Sequence, residues 1–336
     1  MVAALFAGCA NTATEETPAP APAADDPLAN LEPITIKLAH GSPATEASTI
    51  YCEKWMAAVT EKSGGKIKFD YYPNGQLGSL AELIDALDTG SIDMSKADPS
   101  LMTANYPAIG VLNLPFLIST YEQADKVIDG SVGDAIAEEL AAASKTQIIG
   151  WYVNGFRNFC TKTPITKVAD CKGILLRSPE AKVYIDTFTR LDMKPTPIPF
   201  GEMYTAMQTG VVDGIETVPQ LIAETGYHKL GKYVCKSNHM ISLNCITANT
   251  DFWAKLPQEY KDIMTECMAE NEKEQRAFVA STDEKYYEQI ESEGGTITEF
   301  ENPQELIDLF TPYWSESATA IGGNSQKFID EIKALK

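Results

Sequence analysis

Positive charge is scarce in this sequence. It carries 47 acidic and 27 basic residues, a net charge of −20, and its only arginines are Arg157, Arg177, Arg190 and Arg276. A nucleic-acid partner needs a basic face, and none is present, so that class is excluded. The same charge repels anions at long range, so an anionic ligand needs a local cationic site. Histidine is rarer still. His40, His228 and His239 are the only three; none has metal-ligand spacing and no C-x-x-C occurs, so no metal site is expected. The chain also lacks G-x-S-x-G, H-E-x-x-H and a phosphate-binding glycine loop. We therefore assign no catalytic residue and no cofactor, although dispersed Asp and Glu leave a carboxylate-pair enzyme open. Beyond the N-terminus no segment reaches the roughly 20 apolar residues that span a bilayer.

What is present suits an exported globular protein. With 336 residues, 44% hydrophobic and 22% charged, the chain is long enough for two domains or one large one. "MVAALFAGCA" is similar to the end of a bacterial lipoprotein signal, with small residues ahead of Cys9 as the lipid-attachment site. The Ala/Pro/Thr/Glu stretch that follows, to about Pro33, reads as a disordered tether. This places the protein in the periplasm or on the outer face of the cytoplasmic membrane, lipid-anchored through Cys9. Cys52, Cys160, Cys171, Cys235, Cys245 and Cys267 remain. Cys160 with Cys171, and Cys235 with Cys245, are close enough in sequence to bridge neighbouring strands; buried free thiols fit equally well, and six cysteines allow about 15 connectivities.

Periodicity gives a β-α-β-α-β order from 34 to 98, which implies a parallel sheet flanked by helices. "ITIKLAHG", "KIKFDYYPNG" and "SIDMSKADP" read as strands, and 49–62 and 80–88 as helices. An internal echo follows: "ALDTGSIDM" and "AMQTGVVDG" are both a helix end, a glycine suited to positive φ, and a short strand. The two joints fit two α/β lobes of related build. From 257 to about 293 apolar residues recur at spacings of three and four. About 35 residues at 1.5 Å rise give roughly 50 Å, enough to span both lobes. The tail from 302 to 336 reads as helical, anchored by Trp314 and Phe328.

"YYPNGQLGSLAELIDALDTGSIDM", "LNLPFL", "NGFRNF", "CKGILLRSPE", "PTPIPFGEMYTAMQTGVVDGIE" and "TANTDFWAKLP" together resemble the solute-binding proteins of TRAP transporters, the tripartite ATP-independent periplasmic class. The likeness runs over about 34–313 and is most specific from Gly173 to Glu216. It implies an α/β, two-domain periplasmic binding protein-like fold with mixed sheets and a long helix bracing both domains. Expected are domain I over 34–154 plus 243–282 and domain II over 155–242 plus 283–336, after a 1–33 signal remnant and linker. It further implies closure on a small-molecule carboxylate, a sugar acid or other organic acid, and delivery to a small and a large TRAP membrane subunit. An envelope enzyme acting on an organic acid, or a ligand receptor for a signalling kinase, are the alternatives.

Arg177 is the residue on which this reading rests. "KGILLRSPE" delivers it at the end of an apolar run, just before Pro179. Read from the residues alone, it is either a carboxylate clamp or half of a structural ion pair; the resemblance implies the clamp. A guanidinium presents two parallel N–H donors matched to two carboxylate oxygens. Arg157, in "NGFRNF", matches a second cleft position, with a hinge-strand ion pair as its structural alternative. Phe200 ends a proline-bounded strand and is placed to pack on the ligand's carbon skeleton. Thr217 stands where the family commonly has asparagine, so its hydroxyl offers fewer donors. His40 and Asp98 follow two strands of the first lobe, where ligands of α/β sheets bind. Asn154 and Trp151 are further candidates. An acid beside an anionic ligand suits hydroxyls, which inclines the reading toward a hydroxylated monocarboxylate.

Overall fold

The computed structural model describes residues 27–336. Cys9 and most of the tether lie outside the described residues. Packing begins before the expected tether ends. Leu28 joins the apolar cluster that holds Trp55 and Tyr260, and Lys66 Nζ donates to the carbonyls of Ala29 at 3.1 Å and Leu31 at 2.9 Å.

The first half of the chain opens with β1 (Ile34–Ala39), α1 (Ala47–Lys62), β2 (Ile67–Tyr72), α2 (Leu80–Asp88) and β3 (Met94–Ala97). Two 3-10 segments then lead to α3 (Tyr121–Ile128), α4 (Ser131–Ala143) and the 16-residue strand β4 (Thr146–Thr161). Next come β5 (Leu175–Ser178), α5 (Lys182–Arg190), β6 (Lys194–Pro197), α6 (Met203–Gln208), β7 (Gly214–Thr217) and α7 (Pro219–Glu224). The chain returns through the 17-residue β8 (Tyr233–Asn249). It ends in α8 (Thr250–Lys255), α9 (Gln258–Ala280), α10 (Asp283–Ser292), β9 (Thr296–Thr298), α11 (Pro303–Ile321) and α12 (Ser325–Ala334).

The strands make a mixed sheet in the order β2-β1-β3-β8-β4-β7-β5-β6, with β9 beside β8. β1 runs parallel to β2 and β3, and β5 runs parallel to β6 and β7. Between these triplets β8 and β4 pair antiparallel along most of their length. At about 3.4 Å per residue, β4 spans roughly 50 Å and runs through both halves. Its buried run, reading as "WYVNGFRNFC", reflects a strand covered on both faces. The internal echo marks equivalent places. α2, Gly90 and β3 set a strand against β8, while α6, Gly210 and β7 set one against β4. Both glycines take positive φ, +73° and +78°, to reverse the chain after the helix.

The bracing helix differs from expectation. The apolar pattern from 257 to 293 forms two helices, α9 and α10, parted at Ser281 and Thr282. Both hydroxyls bond back to the Phe278 carbonyl at 2.9 Å, which offers the backbone an exit from the helix. Tyr260, Met264 and Met268 of α9 pack with Trp55 and Leu38 of the first half. Tyr286, Tyr287 and Ile290 of α10 pack with Met207, Ile215 and Ile222 of the second. The pair together does what a single rod was expected to do. Trp314 and Phe328 are both buried, and Trp314 Nε1 donates to the Pro115 carbonyl at 2.8 Å. All six described cysteines are buried free thiols.

β4 breaks register with β8 between Val153 and Gly155. Gly155 sits there at φ +114°, and a Cβ would meet the Tyr121 hydroxyl at 3.1 Å. That hydroxyl is itself tied to Asp283 at 2.5 Å. Gly155→Ala is expected to lower stability by about 1–3 kcal/mol, read as a shift in the urea midpoint without loss of secondary structure.

Candidate functional site

The sheet topology aims the carboxyl ends of β1 and β3 at those of β5 and β7. A cleft lies between them, lined from one side by Ser42, Glu46, Leu80 and Asp98 and from the other by Arg177, Phe200 and Thr217. Arg157 of β4 and Ser242 and Asn244 of β8 complete its wall. α2 begins at Leu80 because Ser79 caps it in a capping box with Glu82, which sets that side chain at the cleft.

Arg177 extends from β5 with only 3% of its surface exposed. Its Nε donates to the Ile198 carbonyl at 2.9 Å, and the Phe200 ring centroid lies 6.0 Å from its Cζ. Among the described residues no carboxylate lies within ion-pair distance of it. Burial pulls its pKa down to about 10, and Arg157 nearby adds to this while Glu216 opposes it. The group stays cationic at neutral pH, with its Nε anchored and no protein anion on the outer nitrogens.

Arg157 is arranged differently. Its Nε meets Glu216 Oε2 at 2.5 Å, and its Nη2 meets Glu216 Oε1 at 2.7 Å. Nη1 donates to Ser242 Oγ at 3.3 Å, and the guanidinium stands 5.1 Å over the Tyr184 ring. Glu216 Oε2 also lies 3.4 Å from His239 Nε2. The fork of Arg157 is thus engaged by the protein, as the ion-pair alternative anticipated, although the residue still lines the cleft.

Asp98, Phe200 and Thr217 line the cleft as well. Asp98 caps the following 3-10 segment, its Oδ1 accepting from Ser100 N at 2.8 Å and Ser100 Oγ at 2.7 Å. Burial raises its pKa. His40, Asn154 and Trp151 do not reach the cleft. The His40 ring is held by the Tyr71 hydroxyl at 2.7 Å and the Ser42 N–H at 3.2 Å, and burial lowers its pKa to about 3. Asn154 lies behind Glu46, to whose Oε1 it donates at 3.0 Å. Trp151 is buried in the main apolar core.

Sequence reasoning missed a polar network on the first-half wall. Glu46 stands at the N-cap of α1, but its carboxylate turns to Lys96 Nζ at 2.5 Å instead of capping the helix. Lys96 is fully buried and also donates to Ser42 Oγ at 2.8 Å, Ser48 Oγ at 2.9 Å and Asn244 Oδ1 at 3.3 Å. The α1 N-terminus is capped from across the cleft. Gln220 of α7 accepts from Ala47 N at 3.1 Å and donates to Thr45 O at 2.8 Å. A lone lysine inside the strand "IDMSKADP" was the available signal, the same one that singled out Arg177.

Residues 38–320 match the DctP family, bacterial extracellular solute-binding proteins, family 7. The chain belongs to that family. Among its relatives, the C4-dicarboxylate-binding periplasmic protein DctP of Rhodobacter capsulatus is 29% identical over 304 residues, 88% of this chain and 89% of that protein. The sugar acid binding protein DctPAm of Advenella mimigardefordensis, solved with galactonate, superposes with a TM-score of 0.85 at 27% identity, covering 91% of this chain and 99% of that one. A TRAP periplasmic solute-binding protein of Haemophilus influenzae, solved with L-gulonate, gives a TM-score of 0.84 at 22% identity over 90% of this chain and 99% of its own. The two-domain TRAP solute-binding fold expected from the sequence is the fold observed.

Within this DctP-family cleft two glutamates are held ionised. Burial pushes the pKa of Glu216 up, but Arg157 and His239 more than reverse it; Lys96 does the same for Glu46. Both therefore titrate below the ordinary glutamate value of 4.5. The unfolded chain then binds more protons across that interval, so stability rises with pH there and falls as pH drops below the ordinary value. Glu216→Gln leaves Arg157 buried without its anion, at a cost of about 3–5 kcal/mol at neutral pH. Its melting temperature is expected to be lower at pH 7 and to fall less than that of the wild type between neutral pH and pH values below the ordinary glutamate range.

Proposed function

We propose that this protein captures an organic acid between its two lobes and hands it to the small and large membrane subunits of a TRAP transporter. The observation that carries the reading is the Arg177 guanidinium, buried in the wall of a two-sided cleft with no carboxylate of the described chain paired to it. Its outer N–H groups form the site for a ligand carboxylate. Phe200 covers the ligand's carbon skeleton, and Thr217 adds a hydroxyl beside the carboxylate. Relatives named for C4-dicarboxylates and for sugar acids support an organic acid as the ligand class.

The two moving bodies are 34–154 with 243–282, and 155–242 with 283–336. Their hinge is the stretch where β4 and β8 stay paired across a register shift, with Gly155 opposite Ser242. The contact of Gln220 with the start of α1 joins the lobes when shut. The protein binds without turnover, and it acts outside the cytoplasm, tethered by lipid at Cys9.

Two charge-assisted hydrogen bonds at about 1.5–3 kcal/mol each make the clamp worth at least about 100-fold in affinity. Arg177→Ala is expected to abolish calorimetric binding of the acid recovered from the purified protein, with the melting curve of the ligand-free chain retained. Arg177→Lys should restore little, because an ammonium has no bidentate fork. Unchanged affinity in Arg177→Ala refutes the clamp. Recovery of the ligand chemically altered after incubation refutes carriage without turnover.

A further inference from the structure

The first-half wall of the cleft carries two carboxylates, Glu46 and Asp98, beside Ser42 and Leu80. Glu46 lines the cleft with both oxygens held by the protein, Oε1 by Asn154 at 3.0 Å and Oε2 by Lys96 at 2.5 Å and Ser48 Oγ at 3.1 Å. Asp98 stands beside it, with Oδ1 engaged by Ser100 and no hydrogen bond to Oδ2 among the described residues. A carboxylate oxygen has two lone pairs, so Glu46 Oε1, with one bond, and Asp98 Oδ2 retain acceptor capacity.

The charge balance then restricts what fits. Arg157 is matched by Glu216, and Lys96 by Glu46. Arg177 and the exposed Glu180 on one wall and Asp98 on the other remain. A second carboxylate at the far end of a ligand meets Asp98 and Glu46 and is repelled. An ammonium donating to Glu46 stands beside the Lys96 cation, which Glu46 already binds, and is repelled by it. Neutral O–H donors satisfy the wall best. Lys96 is the positioning residue: it holds Glu46, Ser42 and Asn244, three groups of the cleft lining, in one arrangement.

We propose that Glu46 and Asp98 form an acceptor wall for the far end of the ligand, so that the cleft selects a polyhydroxylated monocarboxylate and rejects dicarboxylates. This rests on the reading of Arg177 as the carboxylate clamp.

The test is calorimetric titration of the ligand-free full chain with gluconate, galactonate and gulonate. They are compared with hexanoate, adipate and 6-aminohexanoate, which keep the six-carbon skeleton but change the far end. At least one aldonate is expected to bind about 100-fold more tightly than each of the other three, as two lost hydrogen bonds to charged acceptors imply. Asp98→Asn should weaken the aldonate at least about tenfold more than it changes hexanoate. Glu46→Gln combined with Lys96→Met removes the carboxylate charge and its partner cation together, so no buried charge is stranded and only a weaker neutral acceptor remains; it should do the same and narrow the gap to adipate. A purely structural role for Lys96 and Glu46 would weaken all six acids alike, which overturns the proposal. So does adipate, hexanoate or 6-aminohexanoate binding as tightly as the aldonates, or no member of the panel binding. In these cases the clamp reading is judged separately, by whether Arg177→Ala abolishes binding of the acid recovered from the purified protein.

Discussion

Taking a guanidinium out of water costs several kcal/mol unless an anion goes with it, and at Arg177 the described chain supplies none. The contrast lies within the same cleft. Arg157 has Glu216 on two of its nitrogens, and Lys96 has Glu46. A chain with 47 acidic residues does not lack carboxylates to place beside Arg177. Leaving that site vacant in so acidic a protein makes the cation available to something from outside. The two internally matched cations serve a different end, holding the walls in fixed positions around the unmatched one.

The architecture makes that arrangement economical in ordered parts. Each half of the sheet is a parallel triplet, and the antiparallel pair β8 and β4 belongs to both. Strand ends of one half therefore face strand ends of the other across a short gap. Arg177 needs only to be the third residue of β5, two before Pro179 ends the strand, to sit at that gap. Asp98 reaches it because Ser100 and the 3-10 segment turn the chain directly after β3. Each of these placements is set by local turn and cap chemistry, while the shared strands fix the distance between the walls.

Legibility in the sequence followed the same division between local and distant causes. The bounds of α2, the glycine joints of the echo and the strand that delivers Arg177 are short-range patterns, and they could be read directly. The break at Ser281 and Thr282 lay within an apolar repeat that continues on both sides, so the repeat masked it. The side-chain to backbone bonds that end α9 are visible only with coordinates. His40 does not line the cleft, because following a strand does not say which way a ring turns, and Tyr71, on the neighbouring strand, holds it. Glu46 and Lys96 are 50 residues apart, and their pairing depends on β1 lying beside β3. Even so, a charged residue within an apolar strand reading was visible at Lys96 as it was at Arg177.

Closure and recognition are then one process. With the lobes together Arg177 is buried to 3% exposure, and Gln220 already bonds across to the start of α1. Shutting the empty cleft strands a cation away from water, which opposes the hydrogen bonds that closure makes. With Arg177 as the proposed clamp, shutting it on a carboxylate removes that penalty and adds two charge-assisted bonds. On that proposal the ligand's differential affinity for the closed state is largely the charge it brings, which is what a population shift requires. The net charge of −20 sets the far-field condition, since distant acids disfavour anions in general. Selectivity must consequently arise inside the cleft, within a few ångströms of Arg177, where solvent screening has been removed by the closing walls themselves.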